Sequence, residues 1–164
     1  MTVRTRYQFR MAMPGRDEER LGRLLVACWR EAYPGILPRD ILDRLDAGRE
    51  AAKWRGSLET GIAWIAEQAG EPAGFGHMRG AEVTTLYLRR QDWGSGLGAE
   101  LLMRLFEEIS CLGRREAFLW ALEKNTRARA FYERLGGYLV ARRPVGFARH
   151  PEIAEVRYDF VLDR

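Results

Sequence analysis

Between Gly61 and Arg89 the chain passes through three short apolar segments, Ile62 to Glu67, Ala73 to Arg79 and Val83 to Arg89, joined by Gly/Pro/Glu turns. A parallel pair of strands needs a crossover of roughly a dozen residues, so segments this close must pair as antiparallel neighbours. The glycine-rich turn Gly94 to Gly98 follows, and then Ala99 to Leu112, with Leu101, Leu102, Leu105, Phe106 and Ile109 at helical spacing. Ala117 to Leu122 is a near-continuous apolar run. That pattern predicts a strand buried on both faces and laid parallel to its neighbour after the intervening helix.

The flanking segments complete an α+β domain. Thr2 to Met11 alternates, with Val3, Thr5, Tyr7, Phe9 and Met11 on one face, as a strand requires. Pro14-Gly15 breaks it, Asp17 offers a helix N-cap, and Leu21, Leu24, Leu25, Cys28 and Ala32 make a helix that Pro34-Gly35 stops. A shorter helix opens at Pro38 with Ile41, Leu42 and Leu45 inward, and Glu50 to Leu58 reads as another. Thr126 to Leu135 is a helix closed by Gly136-Gly137. Tyr138 to Arg142 and Ala154 to Leu162 are the last strands, joined by a loop with Phe147, His150 and Pro151. The expectation is a mixed, mostly antiparallel sheet of about seven strands flanked by helices, in one domain over residues 1–164.

Several classes drop out. The longest apolar runs, Leu24 to Trp29 and Ala117 to Leu122, fall short of the ~20 residues a bilayer crossing needs, so no membrane association is expected. Arg4, Arg6 and Arg10 leave no room for a signal-peptide core, which predicts a cytoplasmic protein. Cys28 and Cys111 have no metal-ligand spacing and read as reduced, small apolar residues; no metal is expected. The net charge of +4 comes almost wholly from arginines interleaved with acids, the pattern of a solvated mixed surface rather than of a nucleic-acid-binding face. A homodimer stays open.

The chemistry gathers around the glycine turn. Three glycines at alternate positions before a helix let consecutive N–H groups converge on an anion, although such a cluster also serves as a plain tight turn. It is neither a dinucleotide fingerprint nor a P-loop. Asn125 stands where a helix cap belongs, and Tyr132, seven positions on, projects along nearly the same side of that helix. A phenol there could donate a proton near the gap between the strands of Leu86 to Leu88 and Leu119 to Leu122, or pack with its hydroxyl on a backbone carbonyl.

Leu86-Tyr87-Leu88, Trp93-Gly94-Ser95-Gly96-Leu97-Gly98 and the run from Asn125 to Gly136 resemble the two hallmark motifs of the GCN5-related N-acetyltransferases (GNAT). The resemblance implies a splayed parallel strand pair at a cofactor site and acetyl transfer from acetyl-coenzyme A to a primary amine of a small molecule or peptide. By the same resemblance, Gly94 to Ala99 hold the pyrophosphate, Leu86, Tyr87 and Leu88 pair with the pantetheine arm, Asn125 contacts the cofactor and Tyr132 protonates the departing thiolate. Two positions depart from the family: Trp93, where Gln or Arg is usual, and Gly137, where an aromatic is usual. A domain of this fold that binds coenzyme A without turnover is the alternative. An amine of pKa near ~10.4 costs roughly 4 to 5 kcal/mol to neutralise at pH 7, so a base is needed. Glu82, at the head of its strand, is the leading candidate, and ordinary strand-end carboxylates look the same. His77 and Glu123 stand behind it. Trp29, Glu31, Tyr33 and His77, with Phe147 and His150 from the late loop, are the candidates for the acceptor pocket.

Overall fold

Helix α1, Glu18–Ala32, buries Leu21, Leu24, Leu25 and Cys28 on one side and carries Glu18 and Glu19 in its first turn, where the helix dipole favours acids. The computed structural model describes residues 6–163. Asp17 occupies the N-cap position without capping: its fully buried carboxylate accepts from Arg10 at 2.8 and 2.9 Å and from the Met13 N–H at 2.8 Å. Helix α2, Arg39–Asp43, starts behind Pro38 and leaves Ile41 and Leu42 only partly covered. Helix α3, Ala47–Thr60, is capped by Asp46, whose side chain accepts from the Arg49 N–H at 2.8 Å. It crosses α1 at Gly22, where a Cβ would come within 2.6 Å of the Ala47 carbonyl oxygen.

Seven strands form one sheet: β1 Gln8–Met11, β2 Ile62–Gln68, β3 Glu71–Arg79, β4 Glu82–Leu88, β5 Glu116–Leu122, β6 Tyr138–Pro144 and β7 Ala154–Val161, in the order β1-β2-β3-β4-β5-β7-β6. The first strand takes up only the end of the alternating Thr2 to Met11 segment; Val3, Thr5 and the rest of residues 2–5 lie outside the described residues. Every pairing is antiparallel except β4 with β5. Successive side chains on a strand face opposite ways. Ile65 and Phe75 accordingly pack with α1 and α3, whereas Gly74 and Gly76 turn to the other face. There the bare backbone admits helix α4, Leu97–Cys111: a Cβ on Gly76 would sit 2.6 Å from Leu105 Cδ1. Helix α5, Thr126–Arg134, covers the same face further along, over Leu119, Val156, Tyr158 and Phe160.

Two expectations need correction. Strand β5 is not buried on both faces. Ala117, Leu119 and Ala121 are buried, but Phe118 and Trp120, on the side opposite α4 and α5, are only half-buried, each under an arginine: Arg157 at 3.9 Å and Arg143 at 3.7 Å from the ring centroid. Their apolar rings produced the continuous run, and the guanidiniums now shield them. Cys28 is buried as expected; Cys111, at the end of α4, is exposed.

Candidate active site

Strand β4 cannot stay beside β5, because its pairing with β3 slips at Thr84, between the Thr85↔His77 and Val83↔Met78 partners. A bulge bends its strand and adds twist. Parallel pairing with β5 is limited to Glu82↔Phe118 and Val83↔Leu119, and beyond Val83 the two strands part. The gap is a cleft of ≈ 340 Å³ between β4 (Glu82 to Leu88) and Leu119 to Leu122 of β5, with Asn125 and the start of α5 as far as Tyr132 on one side and, on the other, Trp29 of α1 and Tyr33 just past its end. The Arg89 N–H bonds to Ala73 of β3 at 2.9 Å. By strand alternation Leu86 and Leu88 direct their own N–H and C=O groups away from β3, into the cleft. The Leu88 carbonyl accepts from the Trp93 indole N–H at 3.2 Å.

Past β4 the chain makes one 3-10 turn, Arg90–Asp92, and then the glycine turn. Gly94 and Gly96 have φ of 73° and 89°, the left-handed region that side chains rarely enter. Asp92 anchors this loop from beneath. Its fully buried carboxylate accepts from Tyr7 at 2.6 Å and Arg89 at 2.7 Å, while its carbonyl accepts from Ser95 Oγ at 2.5 Å. Burial would raise its pKa; the bonds from Arg89 and Tyr7 outweigh that and hold it below the ordinary value. With Leu97 N–H turned to Ser95 Oγ, the N–H groups of Gly94, Gly96, Gly98 and Ala99 have no intramolecular partner among the described residues. Such a nest of N–H groups at a helix start attracts anions.

Asn125 lines the cleft, caps α5 by accepting from the Ala128 N–H at 3.2 Å, and keeps its amide nitrogen free of side-chain bonds among the described residues. Tyr132 is 9% exposed, and its hydroxyl has no hydrogen bond among the described residues. Burial pushes the phenol well above its ordinary pKa, so it stays protonated throughout the neutral range. Glu82 lies where the strands still pair and makes no side-chain bond among the described residues. The opposite wall is aromatic: Trp29 meets Tyr33 edge-on at 5.1 Å, and the Tyr33 hydroxyl bonds to that of Tyr87 at 3.2 Å.

Other sequence-derived candidates lie elsewhere. His77 is buried on the α3 side, with Nε2 2.9 Å from the Ser57 carbonyl and Nδ1 2.5 Å from Thr84 Oγ1. A carbonyl only accepts, so Nε2 carries the proton; that nitrogen ties the ring to α3 and Nδ1 holds the bulge. Glu31 does not reach the cleft. Glu123 is bound outside it by Arg142. Phe147 does line the cleft, but His150 does not: it lies between Asp40 of α2, at 2.9 Å, and Glu152, at 3.5 Å. The sequence reading missed Arg127, Trp120, Arg143 and Glu155, all cleft residues. Arg143 and Glu155 pair across β6 and β7 at 2.7 Å, which only the register reveals. Among the described residues no group of three or more His, Cys, Asp or Glu is placed to hold a metal ion, and no helix is long and apolar enough to cross a membrane.

Comparison with known proteins bears on this cleft. The acetyltransferase (GNAT) family model matches residues 19–137. A protein of Mycobacterium tuberculosis named a probable N-acetyltransferase is 32% identical over 72% of either chain. An uncharacterized N-acetyltransferase of Bacillus subtilis is 26% identical over 66% of this chain and 68% of its own. Among solved structures, the PaiA N-acetyltransferase of Thermoplasma acidophilum, in complex with coenzyme A, superposes with a TM-score of 0.77 at 16% identity, covering 94% of this chain and 99% of that one. YncA of Salmonella typhimurium, solved with acetyl-CoA, gives 0.73 at 18% identity, covering 96% and 95%.

Proposed function

The chain belongs to the GNAT family of acetyltransferases, and on that premise we propose that it transfers an acetyl group from acetyl-coenzyme A to a primary amine of a small molecule or peptide. The observation that carries the reading is the parting of β4 from β5 after Val83, directly beside a turn whose N–H groups are unpaired. The groups present suit the carrier. The backbone of Leu86 and the N–H of Leu88, with Tyr87 between them, offer an extended, amide-bearing arm a strand to pair with, the Leu88 carbonyl being taken by Trp93. The N–H groups of Gly94, Gly96, Gly98 and Ala99 offer its pyrophosphate an anion nest, shaped by Trp93, Ser95 and Leu97. The amide nitrogen of Asn125 is free to donate to the arm.

When bound, acetyl-coenzyme A supplies a thioester carbon activated toward nucleophiles. Glu82, at the closed end of the cleft, takes the proton from the incoming ammonium, directly or through one water. The amine nitrogen bonds to the acetyl carbon, the carbon–sulfur bond breaks, Tyr132 gives its proton to the sulfur, and the second proton that leaves the nitrogen passes through water to restore the Tyr132 phenol. Its raised pKa keeps the phenol protonated at neutral pH, so the proton is in place when the thiolate forms. Trp29, Tyr33 and Phe147 wall the acceptor end. A panel of polyamines, amino acids, aminoglycosides and peptides, with acetyl-coenzyme A and thiol release as the readout, tests the reading. Amine-dependent release is the expected result. Tight binding of coenzyme A with no release by any amine would favour the non-catalytic alternative.

A further inference from the structure

We propose that Arg127 grips the pyrophosphate of coenzyme A and that the Trp93 indole holds it ready to do so, an inference that rests on the acetyl-coenzyme A reading above. The Arg127 guanidinium carbon lies 3.5 Å from the centroid of the Trp93 ring. Trp93 is itself fixed, by its indole N–H on the Leu88 carbonyl at 3.2 Å and its backbone N–H on the Arg90 carbonyl at 3.1 Å. Helix α5 runs alongside the glycine turn, because a Cβ on Gly98 would come within 3.2 Å of Phe131 Cζ. Arg127 stands one turn before Phe131 on the same helix face, which puts it beside the turn, and it lines the cleft.

Two features separate this arginine from the paired ones. Arg10, Arg89, Arg142, Arg143 and Arg157 each pair with a carboxylate, whereas Arg127 has no hydrogen bond or ion pair among the described residues. Stacking occupies only the flat face of a guanidinium; its five N–H donors lie at the edge and stay available. A cation held with its donor edge free, next to four unpaired backbone N–H groups, suits a dianionic ligand that accepts bidentate bonds. The pyrophosphate is the part of coenzyme A that the turn would receive.

Calorimetric titration of the full chain with coenzyme A and with 3′-dephospho-coenzyme A tests this without needing an acceptor. Arg127→Gln should weaken both ligands by roughly 10- to 100-fold, as loss of a charge-assisted contact implies, with an unchanged melting temperature. Arg90→Gln removes the same charge from an arginine 5.6 Å from the same ring and should cost less than about threefold. Trp93→Leu frees the guanidinium and should weaken both ligands, and Arg127→Gln added in that background should then cost little. Trp93→Phe keeps a stacking face and most of the affinity. The proposal is overturned if Arg127→Gln binds both ligands like the wild type, or if only coenzyme A weakens, which would move the contact to the 3′-phosphate. Wild-type protein that takes up neither ligand would overturn the acetyl-coenzyme A reading and this inference with it.

Discussion

Replacing Tyr132 by Phe separates its chemical role from its packing, because the two parts of the side chain have different surroundings. The ring packs against Phe131 at 5.3 Å, Tyr158 at 6.1 Å and Phe160 at 6.5 Å between centroids, and Phe keeps all three contacts. The hydroxyl opens on the cleft and has no hydrogen-bond partner among the described residues. Removing a cleft-facing hydroxyl that bonds to no protein group leaves the ring packing intact, so stability should stay within about 0.5 kcal/mol of wild type. Turnover should fall by about 10² to 10⁴, the usual worth of a positioned general acid, or ~2.7 to 5.5 kcal/mol in the barrier. Steady-state thiol release and thermal unfolding, run in parallel on both proteins, read the two quantities. Burial raises the phenol pKa, so the wild-type rate should show no loss from Tyr132 ionisation up to about pH 9. Turnover within about threefold of wild type, at an unchanged melting temperature, would remove the general-acid role; a fall in both together would make Tyr132 structural.

Gly76→Ala places a Cβ 2.6 Å from Leu105 Cδ1 and 3.3 Å from the Thr85 carbonyl oxygen, and should cost about 1 to 3 kcal/mol, read as a lower urea midpoint at unchanged slope. Asp92→Asn should cost about 1 to 3 kcal/mol by leaving Arg89 without its carboxylate. Because Asp92 is held below its ordinary pKa of 3.8, its stabilisation is present above that value and lost as pH falls through the folded one; the variant should lose less stability between pH 6 and pH 3 than wild type does. The bond to Asp40 raises the pKa of His150 above 6.5, so that tie is complete below pH 6.5 and lost as pH rises through the folded value. Corrected amide exchange in residues 145–153 should therefore speed up from pH 6 to pH 8.5 in wild type and stay level in His150→Lys.

Most element positions were legible because each short connection and each periodic run has one sensible reading. Strands β2, β3 and β4 fall on the three apolar segments, and α4 and α5 on the two helical patterns flanking β5. What escaped was whatever depends on two distant segments meeting. Asp17 stands where a cap belongs, yet its carboxylate turns to Arg10 and Met13, a choice visible only once β1 lies beside α1. His77 has a suitable intrinsic pKa for a base, but strand alternation and the Thr84 bulge turn it toward Ser57. Both family departures have local reasons. A Cβ on Gly137 would come within 2.8 Å of the Phe160 ring, which fills the space an aromatic would take. At Trp93, where the family usually has Gln or Arg, the ring carries Arg127 across from α5, and no spacing in the chain announces that pairing.

Amide hydrogen exchange with and without saturating acetyl-coenzyme A tests the slot between β4 and β5 most directly. The backbone groups of Leu86 and Leu88 face that gap and those of Gly94, Gly96, Gly98 and Ala99 lack partners, so exchange at these six residues should slow by about tenfold or more on addition of the ligand. Unchanged exchange there, under conditions where binding is saturated, or protection confined to another face of the sheet, would contradict the account.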